Sequence, residues 1–282
     1  MRIEFEKIAS AEGSKLIYQG VLGAMDIPQH PDFGKRPIKI LDLGGGNGII
    51  GSLLKQQLEE LRGPLSDSEL DSLVDYVNVD TDRRELDKSP GRTFDKDIDD
   101  IYSELENEPP FDFVLSINPR PRMLRYPDET LRYTSWDFQC QLGYAQDCIT
   151  GGMQRIVLAT ASLVLKDGGK FLFSGFTGDE DVVEGTAQYA KEPALGLFLE
   201  KNTSLDIDEE TKELFAIFDT KLNPDDRSIK RVINEFGEYR QFVLRREGKI
   251  DKEAIKKLLS KEIALCDQAY EELAHIDRFG TW

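Results

Sequence analysis

The chain has 282 residues, 39% hydrophobic and 32% charged, with 53 acidic against 36 basic residues and a net charge of −17. That length suits one large α/β domain, or one domain with appended helices, and the apolar fraction supports a real core. A field this negative repels phosphate backbones, so a bare nucleic-acid substrate is disfavoured and small molecules or cationic peptides are easier partners.

Residues 1–36 combine an amphipathic stretch, Ile8 to Met25, with a Pro/Gly/His-rich loop from Ile27 to Pro37. They read as an N-terminal helical extension and linker. Ile38-Lys39-Ile40-Leu41-Asp42-Leu43 is a short run bounded by glycines, the pattern of a buried strand. Beyond the glycines, Ile49, Ile50, Leu53, Leu54, Leu58 and Leu61 mark one face of a helix ending near Arg62-Gly63-Pro64. Asp75-Tyr76-Val77-Asn78-Val79-Asp80 predicts a second strand and Thr93-Phe94-Asp95 a weaker third. Phe111 to Ile117 predicts a fourth, stopped by Asn118-Pro119. Gln154 to Leu165 fits a helix closed by Lys166-Asp167-Gly168-Gly169, and Lys170 to Phe176 the next strand.

Strands and helices alternating at this spacing imply βαβ units and a mainly parallel sheet. Leu214 to Phe218 and Gln241 to Arg245 read as the last two strands, the second at an antiparallel edge. Ile255, Leu258, Leu259, Cys266, Tyr270 and Leu273 then form an apolar stripe on a charged C-terminal helix. The expected division is an extension at 1–36, a ligand-binding domain at 37–250 and a C-terminal helix at 251–282.

Cys140, Cys148 and Cys266 are odd in number and widely spaced, so no disulfide framework is expected. His30 and His275 stand far from any Cys pair, and no metal site is expected either. The N-terminus has no apolar signal region and no segment approaches the apolar length of a membrane span. A soluble cytoplasmic protein, with no membrane partner, is the expectation.

The richest chemistry lies in Asp42-Leu43-Gly44-Gly45-Gly46-Asn47-Gly48, between the first strand and the first long helix. Glycines let the backbone turn sharply and approach a ligand, and the helix start behind them presents free N–H groups. Gly46-Asn47-Gly48-Ile49-Ile50-Gly51 also matches G-x-G-x-x-G. A dinucleotide fingerprint begins at the strand end, whereas this one begins three residues after Leu43. The row instead resembles the first motif of class I S-adenosylmethionine-dependent methyltransferases, D/E-x-G-x-G-x-G, filled here at Asp42, Gly44, Gly46 and Gly48.

The resemblance covers about residues 38–176. It implies a Rossmann-like α/β fold with a mostly parallel seven-stranded sheet and helices on both faces. S-adenosylmethionine would be the cofactor and S-adenosylhomocysteine its product. Cofactor contacts would come from Asp42, Gly44, Gly45, Gly46, Asn47 and Gly48. Asp80, ending the second strand, would hold the ribose hydroxyls; it also suits a cap for the helix starting at Thr81. Asp97, after the third strand, would face the adenine amino group, although Asp95, Asp99 and Asp100 crowd it.

Phe111-Asp112-Phe113-Val114-Leu115-Ser116-Ile117-Asn118-Pro119-Arg120-Pro121 is similar to the N/D-P-P-Y/F motif of the amino-methyltransferases. That likeness implies methylation of nitrogen, on a small molecule or a protein or peptide side chain. Asn118 and Pro119 would be the catalytic pair, with Asn118 also beside the cofactor. An Asn side-chain oxygen and the next carbonyl can accept two N–H bonds and aim the nitrogen lone pair at the methyl group.

The motif departs from the family where Arg120 and Pro121 replace proline and an aromatic ring. Either Tyr126, Tyr133 or Trp136 supplies the missing stacking surface, or the target is not planar. Arg120, Arg122, Arg125 and Arg132 make a basic island that either grips an acidic group or pairs internally. Two other readings stand beside the methyltransferase: a nicotinamide-dependent oxidoreductase on a related sheet, and a catalytically silent S-adenosylmethionine-binding scaffold.

Overall fold

A computed structural model describes residues 10–81, 83–98, 100–117, 151–176, 189–220, 233 and 237–279. Chain order gives α1 (Glu12–Met25), β1 (Ile38–Leu43), α2 (Ile49–Arg62), α3 (Asp67–Leu73) and β2 (Val74–Asp80). Next come the short α4 (Arg83–Leu86), β3 (Arg92–Asp95), the short α5 (Tyr102–Leu105) and β4 (Phe111–Ile117). Helix α6 spans 151–164. It is followed by β5 (Leu165–Phe176), β6 (Leu197–Leu205), α7 (Glu209–Thr220), β7 (Tyr239–Arg246) and α8 (Lys252–Phe279).

The seven strands form one sheet in the order β3-β2-β1-β4-β5-β7-β6. The pairs from β3 through β5 are parallel, while β7 runs antiparallel to both β5 and β6. The α/β class expected from the sequence is the observed one, a Rossmann-like arrangement whose seven-stranded sheet is mostly parallel.

Alternation along each strand sends side chains to two separate cores. On one face, Leu41, Leu43, Val77, Val79 and Phe171 pack with Ile156 and Val157 of α6 and Ile255 and Leu259 of α8. On the other, Ile38, Ile40, Tyr76 and Leu172 pack with Ile17 and Val21 of α1, Ile50 and Leu54 of α2, and Phe215 of α7. Helices therefore cover both faces, as a parallel sheet requires.

Local sequence explains the helix ends that matter here. Helix α1 stops at Asp26, whose φ of 42° is left-handed and whose N–H returns to Leu22 O. Ser66 and Glu69 close a reciprocal capping box at the start of α3. Helix α2 begins from Gly48 and ends at Gly63, with φ of 70° and 86° respectively.

Two expectations about the C-terminal half are corrected. Leu214 to Phe218 lies within α7, because Thr211, Leu214 and Phe215 are buried at helical spacing. The strand the sequence reading missed is β6. It lies at the sheet edge and leaves most of its residues exposed, so it lacks the two-residue alternation that betrays a strand. Strand β7 is antiparallel as expected but sits inside the sheet, between β5 and β6. Among the described residues, no helix is long and apolar enough to cross a membrane.

Candidate ligand-binding site

Strand β1 ends at Leu43, and the chain turns through Gly44, Gly46 and Gly48 with φ of 79°, 54° and 70°. Left-handed backbone at alternate positions is readily open only to glycine, which is why three are spaced this way. The Gly44 N–H returns to Val79 O at 2.8 Å, and the Gly48 N–H closes onto Gly45 O at 2.9 Å. Helix α2 starts directly behind, so the donors of its first turn lack carbonyls one turn earlier.

Strand β2 supplies the anchors. Asp42 lies level with Asn78 in the parallel register. Asp80 Oδ2 accepts the Gly46 N–H at 2.9 Å. Asn78 Nδ2 donates to Gly46 O at 2.8 Å and to Ser89 Oγ at 2.9 Å. Both polar ends of Gly46 are thus tied to one strand. Gly45 rests on the same group: a Cβ there would lie 2.5 Å from Asn78 Oδ1 and 2.6 Å from the Asp42 carboxyl.

Asp42 itself is 2% exposed. The Tyr76 hydroxyl donates to its Oδ2 at 2.5 Å. Burial pushes the Asp42 carboxyl up to about 7, opposed by the Tyr76 hydrogen bond and reinforced by the negative charge of Asp80. Burial, then the Asp42 charge, holds the Tyr76 hydroxyl well above the usual phenol range. Asn47, in the loop, carries a buried Oδ1 with no hydrogen-bond partner among the described residues.

The segment after β3 flanks the loop. The Lys96 N–H donates to Asp80 O at 3.2 Å. Ile98 Cδ1 lies 3.7 Å from where a Gly44 Cβ would stand. Half-buried Asp97 sits between these two contacts. Strand β4 ends nearby, with Leu115 level with Asp42 and Ser116 Oγ donating to Leu43 O at 3.4 Å.

The structure therefore brings Asp42, the Gly44–Gly48 loop, Asp80 and the Asp97 segment together at the carboxyl ends of adjacent strands. Asn118 and Pro119 lie outside the described residues. So do Arg120, Arg122, Arg125 and Arg132, with Tyr126, Tyr133, Trp136, Cys140 and Cys148.

Tyr76, Asn78 and Ser89 escaped the sequence reading, yet they build the support for the loop. A signal existed: Tyr76, Asn78 and Asp80 are spaced two apart on one strand, so three polar-tipped side chains share a face. Acids and backbone donors mixed in this way suit a ligand carrying hydroxyl or amino groups better than a bare phosphate.

A second polar cluster occupies the opposite end of the sheet. His30, Asp32 and Asp112 bring ligand atoms within 4.8 Å of one another. Arg36 already grips Asp112 through both oxygens at 2.7 and 2.8 Å, and Lys166 Nζ also pairs with it. The cluster is a salt-bridge network in which cations neutralise the buried carboxylate.

No family model matches the chain, and no curated protein matches it by sequence. Solved structures do. StiE O-MT residues 961–1257 is 12% identical, with a TM-score of 0.48 over 89% of this chain and 80% of that one. N-methyltransferase NodS from Bradyrhizobium japonicum WM9, in complex with S-adenosylhomocysteine, is 11% identical, with a TM-score of 0.46 over 86% and 91%. Geranyl diphosphate methyltransferase, in complex with GPP and sinefungin, is 10% identical, with a TM-score of 0.46 over 83% and 78%. These solved structures, to which the chain is similar, are methyltransferases that between them act on different acceptors.

Proposed function

We propose that this chain binds S-adenosylmethionine in the Gly44–Gly48 loop and transfers its methyl group to a nitrogen acceptor. The observation that carries the reading is the clamp on Gly46, held at its N–H by Asp80 and at its carbonyl by Asn78. A loop with three left-handed glycines is costly to order, and here two side chains of one strand hold it in place.

The residues present fit an adenosyl ligand. The buried acceptor on Asn47 is unmatched among the described residues, and a ligand amino group or hydroxyl would satisfy it. Asp80, half-buried at the strand end, would receive the ribose hydroxyls. Asp97, beside it, would accept from the adenine amino group. The bound cofactor supplies an electrophilic methyl carbon on a sulfonium. The chain's part is to hold the adenosyl moiety, exclude water and orient the acceptor. Asn118, following β4, takes the orienting role, accepting N–H bonds from the nucleophile so that its lone pair faces the methyl group.

Calorimetry with S-adenosylhomocysteine and, separately, NAD tests the binding half. Saturable binding of the first and none of the second is expected; tight NAD binding alone would overturn the reading. Formation of S-adenosylhomocysteine from S-adenosylmethionine with a cell extract tests the transfer half. Its absence, with cofactor binding intact, would favour the silent scaffold that the Asn118-Pro119-Arg120-Pro121 departure also allows.

A further inference from the structure

Beneath the glycine loop lies a buried group of side chains that a cofactor site alone does not explain. Asp42 and Asn78 are side by side on β1 and β2 and almost wholly buried, 2% and 0% exposed. Each has one acceptor oxygen, Asp42 Oδ1 and Asn78 Oδ1, without a hydrogen-bond partner among the described residues. The other Asp42 oxygen is occupied by the Tyr76 hydroxyl, and the Asn78 amide nitrogen by Gly46 O and Ser89 Oγ. Gly45 sits directly on the pair.

An ionised carboxylate here would be acceptor-only, set beside a second acceptor in a space that excludes solvent. One proton resolves both deficits, because it turns Asp42 into a donor. We infer that Asp42 serves the loop as a neutral carboxylic acid that donates to Asn78 Oδ1, so that Tyr76, Asp42 and Asn78 form a proton-dependent platform under Gly45. Asp42 and Asn78 are positioning residues, acting on a ligand only through the backbone they support.

The surroundings favour the neutral acid. Tyr76 and Asp80, both on β2, are the ionisable groups acting on Asp42, and Asp80 brings a like charge. Tyr18 of α1, in the same core as Tyr76, also acts on the Tyr76 hydroxyl. The α2 face over them presents Ile50, Gly51 and Leu54, all apolar. Burial of the carboxyl places its titration near neutral pH, so the platform would lose its proton to solvent within the physiological range. Loss of that proton sets two acceptors against each other beneath Gly45 and loosens the loop.

Infrared difference spectra of wild-type protein between pH 6 and pH 8.5 test the proton directly. A protonated-carboxyl carbonyl band is expected at pH 6 and lost at pH 8.5, absent in Asp42→Asn and shifted in Asn78→Ala. No such band in the wild type at pH 6, or a band that Asn78→Ala leaves unmoved, would overturn the inference.

A second arm rests on the adenosyl reading above and uses S-adenosylhomocysteine as probe. Its Kd should rise about tenfold from pH 6 to pH 8, as expected when the binding-competent loop needs one proton with a midpoint near 7. In Asp42→Asn the Kd should be flat over that range. If S-adenosylhomocysteine fails to bind while the infrared band behaves as described, the cofactor reading fails and the platform stands. If it binds with no pH dependence in the wild type, the coupling of platform to loop is overturned.

Discussion

The Asp80 carboxylate meets the Gly46 N–H at 2.9 Å, joining the end of β2 to the turn that leaves β1. A carboxylate at such a strand end has more than one lone pair to offer, so one group can both order the loop and receive a ligand hydroxyl. Because ordering the loop is part of the cost of binding, residues that fix it in advance raise affinity without touching the ligand.

Gly46→Val tests the loop as a ligand cradle. Gly46 has a φ of 54°, where a β-branched residue is strongly disfavoured, and its N–H and carbonyl are both engaged. The substitution should abolish S-adenosylhomocysteine binding by calorimetry, while far-ultraviolet circular dichroism stays near that of the wild type. The sheet is held by two cores to which Gly46 contributes no side chain, so the fold should survive. Wild-type affinity in Gly46→Val would make the loop a simple turn.

Gly45→Ala probes the platform without altering an anchoring side chain. The new methyl would meet Asn78 Oδ1 at 2.5 Å and the Asp42 carboxyl at 2.6 Å, distances that force something to move. Overpacking of this kind costs about 1–3 kcal/mol, so the melting temperature should drop by several degrees. S-adenosylhomocysteine affinity should fall along with it. A stable Gly45→Ala protein with unchanged affinity would show that the contact beneath the loop is slack.

Asp112 carries a prediction about acid stability. Its carboxyl is fully buried, and although burial alone would raise it, the hydrogen bonds from Arg36 and Lys166 hold it down to about 2. A carboxyl with a depressed folded value contributes stability that is present above its unfolded value, near 4, and lost as pH falls through about 2. Asp112→Asn should therefore destabilise the protein at pH 7 by about 2–3 kcal/mol, at the lower end for breaking a buried pair because Arg36 is 40% exposed. Denaturant unfolding of both proteins should show that gap shrinking between pH 4 and pH 2. A gap constant across that window would mean that the network adds little to the folded state.

Much of this molecule was legible in the sequence, for identifiable reasons. The strands β1, β2 and β4 are buried on both faces, so each carries apolar residues on both, and the ends of β1 and β4 are marked by glycine or proline. The Asp42–Gly48 row stood out because left-handed turns admit few residues besides glycine. Strand β6 was hidden by its exposure at the edge, and Leu214 and Phe215 looked strand-like in a short apolar run that burial shows to be helical. The support under the loop was hidden for a different reason. Tyr76, Asn78 and Ser89 matter through contacts with residues about 30 positions away or across a turn, and pairing across a sheet leaves no local spacing to read.

Asn118→Ala addresses the chemistry itself. Strand β4 delivers its end, Ile117, to the level of the glycine loop, since Leu115 is in register with Asp42 and Ser116 bonds to Leu43 O. Ligands of open α/β sheets gather at the carboxyl ends of the strands, and Asn118 is the residue that follows. Pro119 after it restricts the backbone and contributes no N–H, leaving carbonyl and side-chain oxygens as acceptors for a substrate nitrogen. If Asn118 orients that nitrogen, its removal leaves the cofactor contacts of the glycine loop, Asp80 and Asp97 intact and removes an interaction that strengthens as positive charge develops. S-adenosylhomocysteine affinity should then stay within a few-fold of wild type, while turnover falls by about two to three orders of magnitude. An Asn that only satisfied its own turn would lower stability and leave the remaining folded enzyme at full turnover. Thermal unfolding, calorimetry and turnover on an identified acceptor separate the two roles. Near-wild-type methylation by a stable Asn118→Ala protein would remove Asn118 from the mechanism, and with it the main reason to place nitrogen, rather than oxygen or carbon, at the receiving end.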